Sequence, residues 1–149
     1  MLKKKAISLV MSVLMAFSLC GNAFAVSENS NINVINASAY LSTYNVALSA
    51  QADHRMAIGV TVTGTSIMDK IGVSIIDIDQ KINGVWSDYN TLYALYNPNF
   101  YQYNTTSYVD TISFYGTQGV QYRVSLTVYA GKGSGSDTGI LTSYTVTCK

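Results

Sequence analysis

Apolar and polar residues alternate with period two through most of the chain after residue 39, the pattern of strands buried on one face. Tyr40, Tyr44, Val46 and Leu48 share one face of a first predicted strand. After the polar run AQADHR (50–55), Met56, Ile58, Val60 and Val62 alternate with Ala57, Gly59, Thr61 and Thr63 in a second. GTSIMDK (64–70) interrupts the pattern, and a third strand opens at Ile71. Ile71, Val73 and Ile75 have one parity and Ile76 and Ile78 the other, which predicts a bulge, or burial on both faces, near residue 75. Asn83-Gly84 is a strong hairpin signal, because a type I′ turn needs positive φ at both central residues. Val85 and Trp86 begin the returning fourth strand. The tyrosine-rich segment 89–108 follows, turned at Pro98 between two asparagines. A fifth strand covers 108–115 and a sixth, with the cleanest alternation, 120–129. AGKGSGSDTG (130–139) reads as a flexible glycine-serine loop before a last strand at 140–148.

About seven strands, with no amphipathic helix beyond the first 25 residues, predict an all-β fold: a single immunoglobulin- or fibronectin III-like β-sandwich. GVQYRVSLTV adds a detail. Tyr122 lies two residues before the inward Val124, at the start of the penultimate strand. That is the position of the tyrosine corner in immunoglobulin-like domains, with valine in place of a disulfide cysteine.

The amino-terminal residues read as an address. Lys3, Lys4 and Lys5 precede a 14-residue apolar run at 6–19, too short for a comfortable membrane span. Ala23-Phe24-Ala25 supplies a small-x-small cleavage site, so residues 1–25 are expected to be a signal peptide of Gram-positive type. Leu19 before Cys20 disfavours a lipoprotein signal, which needs a small residue there. Residues 26–39, rich in Asn and Ser, are expected to be a flexible leader, and 40–149 the sandwich. Cleavage removes three of the nine basic residues, leaving six against eight acids, a net charge of −2. This is no electrostatic footprint for nucleic acid or anionic lipid. The expected product is secreted, with no membrane span after cleavage. Cys148 is then its single cysteine, so no disulfide forms within the chain; it is expected to be a small buried residue rather than a thiol that pairs two chains.

SAYLSTYNVALSA, VTGTSIMDKIG, QYRVSLTVYAGKGSGSDTG and TSYTVT resemble a family of short exported proteins of Firmicutes, gut Clostridia above all. The resemblance spans residues 38–147. It implies an extracytoplasmic β-sandwich and supplies no activity and no catalytic residues.

The inventory of reactive groups is thin. Asp77 and Asp79 in SIIDIDQKINGVW invite a calcium-loop reading, but Lys81 stands where a ligand is required and Ile82 where glycine is. The segment is a hairpin. His54 is the single histidine, in a polar connection and without a G-x-S-x-G elbow; four zinc ligands cannot be assembled. Glu28 is the lone glutamate and lies in the leader, and the Gly-Ser stretch lacks the P-loop order. No enzyme, cofactor or metal is expected. The aromatic segment is the candidate ligand-binding region: Tyr93, Tyr96, Asn99, Tyr101 and Tyr103 combine flat apolar rings with hydrogen-bonding groups. The competing reading makes these rings core closure and ordinary surface. Two function classes follow: a secreted, non-catalytic module binding a glycan or protein at a cell surface, or a self-assembling structural protein using strand addition.

Overall fold

The computed structural model describes residues 31–34 and 38–149. The expected signal peptide, residues 1–25, lies outside the described residues, as does most of the expected leader. Four leader residues, however, run as a strand, β1 (Asn31–Val34). The other strands are β2 (Leu41–Ala50), β3 (Arg55–Ile82), β4 (Val85–Tyr93), β5 (Tyr101–Tyr115), β6 (Gln121–Lys132), β7 (Gly135–Thr142) and β8 (Val146–Thr147). A short 3₁₀ turn, Pro98–Phe100, precedes β5. All pairings are antiparallel and belong to one curled sheet ordered β1-β2-β3-β6-β7, with β4 and β5 also on β3 and β8 on β6.

The 28-residue β3 organises this sheet. Its first half pairs with β2 on one side and β5 on the other; its second half pairs with β6 and β4. The second and third strands expected from the sequence are therefore one strand. GTSIMDK does not break it but bends it. Between Thr63↔Ser107 and Met68↔Thr105 the β3 side of the ladder carries extra residues. The corner they make is pinned to the start of β2, where the Thr65 N–H donates to the Tyr40 carbonyl (3.0 Å) and the Thr65 hydroxyl to that of Ala39 (2.7 Å). Met68 fills the bend from beneath and is fully buried. Corners made by irregular strands let one strand serve two parts of a sheet.

The parity switch is present as well. Val73↔Val128 and Ile75↔Thr127 skip Ser74, so Ile71 and Val73 before it, and Ile76 and Ile78 after it, all face the core. The curl brings β2 against β6, β7 and β8. Between them lie Leu41, Tyr44, Val46 and Leu48 of β2, the inward side chains of β3, and Tyr122, Val124, Leu126 and Val128 of β6. Buried apolar surface of this kind is the main favourable term in folding. Tyr40 is only half-buried, and Leu41 takes the inward position across an irregular register at the start of β2.

The glycine-serine stretch is not a loop. It forms the β6–β7 hairpin, turned at Gly133 (φ +59°), and its glycines admit the rings of Tyr40, just before β2, and of Tyr44 in β2. A Cβ on Gly135 would meet the Tyr40 hydroxyl at 1.9 Å, and one on Gly139 the Tyr44 ring at 2.6 Å. The last strand accordingly splits into β7 and β8. Ser143 bridges the split by accepting the Val124 N–H (2.9 Å) at its hydroxyl and donating its own N–H to the Val124 carbonyl (2.8 Å). Asn83 and Gly84 both have positive φ, as the hairpin reading requires. Cys148 is buried, with its thiol 3.5 Å from the His54 carbonyl.

Candidate functional site

The candidate groove arises where β3 changes partners on one side. β5 leaves the ladder at Gly72↔Tyr101 and β4 enters at Ile75↔Tyr93, so the two strands fork around Ser74. The chain between them makes a compact excursion. Ala94 N–H donates to the Ser74 carbonyl (3.0 Å), Asn97 N–H to that of Ala94 (3.2 Å) and Phe100 N–H to that of Asn97 (3.0 Å). The Asn97 side-chain amide also donates to the Tyr93 carbonyl (2.9 Å). Pro98 opens the 3₁₀ turn, where a missing N–H costs nothing, and buried Phe100 anchors it. Close approach of this turn to β3 depends on Gly72: a Cβ there would lie 2.0 Å from the Phe100 carbonyl oxygen.

The fork leaves an open groove of about 540 Å³, lined by Lys70, Ser74, Tyr93, Leu95, Tyr101 and Tyr103, with Ala94 and Pro98 at its turn. Of the residues singled out in the sequence, Tyr93, Tyr101 and Tyr103 meet here. Tyr96 and Asn99 stand exposed on the adjoining turn, outside the lining. The aromatic segment divides between core and surface. Phe100 and Tyr108 are core, while Tyr93, Tyr96 and Tyr103 are exposed.

Sequence reasoning missed Lys70 and Ser74. Lys70 faces Tyr103 and Gly131 across the ladder, a register that one sequence does not disclose. Its ammonium lies 3.7 Å from the Tyr101 ring centroid and 5.4 Å from that of Tyr129. Those two rings meet edge to face at 6.0 Å. Burial raises the Tyr101 hydroxyl above the usual phenol value, and neighbouring Tyr129 adds to this; hydrogen bonding with Ser74 opposes it. Tyr101 is thus a neutral hydroxyl in the groove at any physiological pH.

The other candidates are engaged elsewhere. Asp79 forms an ion pair with Arg123 (2.9 Å), whose guanidinium lies 4.4 Å from the Trp86 ring centroid. Asp77 accepts the Thr91 hydroxyl (3.0 Å). Among the described residues no group of three or more His, Cys, Asp or Glu side chains could hold a metal. His54, in the turn before β3, places Nδ1 3.2 Å from the backbone oxygen of Lys149 and does not reach the groove. No helix among the described residues is long and apolar enough to cross a membrane.

No family model and no curated protein matches the chain. Among solved structures, a protein from Archaeoglobus fulgidus is similar over 73% of this chain and 98% of its own, at 12% identity and a TM-score of 0.36. That score carries no conclusion about fold or function.

Proposed function

We propose that the protein is a secreted, non-catalytic binding module that holds a cell-surface ligand in the groove between β4 and β5. The observation that carries this reading is the fork itself. Three tyrosines from two different strands, Tyr93 of β4 and Tyr101 and Tyr103 of β5, line one open groove, beside an exposed Leu95 and a lysine. Concave sites lined by rings and a few placed polar groups are the usual form of small-ligand sites. Export rests on the Lys-led apolar run and Ala23-Phe24-Ala25. The finer fold assignment, an immunoglobulin-like sandwich, draws support from Tyr122, whose buried hydroxyl accepts the Thr117 N–H at 2.9 Å in the manner of a tyrosine corner.

The test is retention of residues 26–149 on cell walls, mucin and host cells, beside a Tyr93→Ala/Tyr103→Ala variant. These two rings are exposed, so their loss leaves the core intact. Retention lost in the variant supports the module; equal retention of both proteins contradicts the groove.

A second reading, self-assembly by strand addition, is favoured by β5. Among the described residues this 15-residue strand pairs with β3 alone, leaving its outer edge without a neighbouring strand. Its edge carries no lysine or proline, the residues that usually blunt such edges. Light scattering after size exclusion decides it: oligomers that grow with concentration support assembly, and a monomer throughout contradicts it.

A further inference from the structure

Among the described residues, Lys70 is the one charged side chain in the groove lining. Its neighbours are rings rather than acids, and among the described residues the ion pair that forms is Arg123–Asp79. Asp69, the adjacent acid, is turned away to accept the Gly133 N–H at 2.7 Å. An ammonium has three donors, and ring faces compensate its charge without providing the oxygen acceptors it prefers. On β3 a peptide ligand has no ladder to join at the fork: β6 pairs its far side, and on the fork side the Ser74 carbonyl already accepts the Ala94 N–H. The aromatic and polar side chains of the groove offer flat ring faces, hydroxyls and one cation. These suit a pyranose with its C–H face on tyrosine and an acidic substituent on lysine.

Building on the binding-module reading, we infer that the ligand is an acidic saccharide, with its carboxylate or sulfate on Lys70 and sugar faces on Tyr93 and Tyr103. Because residues 26–149 carry six basic side chains against eight acidic ones, the attraction is local to Lys70 and weakens with salt. The test titrates the protein with oligogalacturonate, sialyllactose and chondroitin sulfate oligosaccharides. Methyl-esterified oligogalacturonate, lactose and desulfated, carboxyl-reduced chondroitin serve as uncharged counterparts, and an aspartate-rich hexapeptide as the peptide control. At least one acidic saccharide is expected to bind, about tenfold or more tighter than its counterpart. Lys70→Met should remove that preference and Lys70→Arg retain it, both variants keeping the wild-type near-ultraviolet circular dichroism. Equal binding of acidic saccharides and counterparts, or a preference unchanged in Lys70→Met, overturns the inference while leaving the binding module intact. Binding of the peptide but of no saccharide overturns it too. Binding of no probe overturns it as well, and retention on cells lost in Tyr93→Ala/Tyr103→Ala would then show that the module reading survives.

Discussion

Gly72 and Gly84 both have positive φ, yet they stand in different surroundings. Gly84 (φ +81°) turns a hairpin in open space, with nothing within 4 Å of an added Cβ. Gly72 (φ +152°) lies where β5 joins β3, and its missing side chain is the room that the Phe100 carbonyl occupies. Alanine at 84 therefore meets only the conformational penalty, about 1 kcal/mol. Alanine at 72 adds a clash with backbone that has no rotamer to escape into, for a loss of about 3 kcal/mol. Urea unfolding of Gly72→Ala beside Gly84→Ala checks this, and equal losses would contradict the described approach of Phe100. Because Gly72 positions the start of β5, Gly72→Ala is also expected to weaken ligand retention, whereas Gly84→Ala is not.

At the scale of elements, the β6–β7 hairpin is tied to β2 by rings and by one carboxylate. Asp137 of β7 accepts the Ser38 hydroxyl and the Tyr40 N–H (2.7 Å), and Ser38 in turn accepts the Leu41 N–H (2.9 Å). These bonds, that of Ser38 foremost, hold the Asp137 carboxyl below the ordinary aspartate value. A depressed value in the folded state means that the carboxylate stabilises the fold above the unfolded value, about 3.9, and that this contribution is lost as pH falls through the folded value. Stability should therefore fall between neutral pH and about pH 3, and fall less steeply in Asp137→Asn. Urea midpoints at the two pH values test this; identical acid dependence in both proteins would contradict it.

Much of this level was legible in the sequence. The Asn83-Gly84 hairpin, the inward faces of β6 and of β2 from Tyr44 onward, and the irregularity beside Ile75 follow from period and turn chemistry. The glycine-serine stretch was not legible as strand. What makes its glycines structural is Tyr40 and Tyr44, some ninety residues earlier in the chain, and local composition cannot report so distant a contact. The continuity of β3 was hidden for a related reason: the bend at 64–67 is held by β2, and alone it reads as a break.

At the scale of the molecule, one strand with four neighbours produces both the curl and the fork. The aromatic half of the candidate site could be read from the density of tyrosines, but Lys70 and Ser74 reach it through long-range register. The same architecture offers two surfaces, the groove and the outer edge of β5, and they predict different footprints. Hydrogen exchange read by mass spectrometry, on residues 26–149 free and adsorbed to the surface that retains them, distinguishes the two directly. Binding in the groove slows exchange at residues 70–74 and 93–103 and leaves the rest of β5 unchanged. Slowing along 105–115 with no change at 93–103 would place the contact on the strand edge and contradict the groove as the binding site.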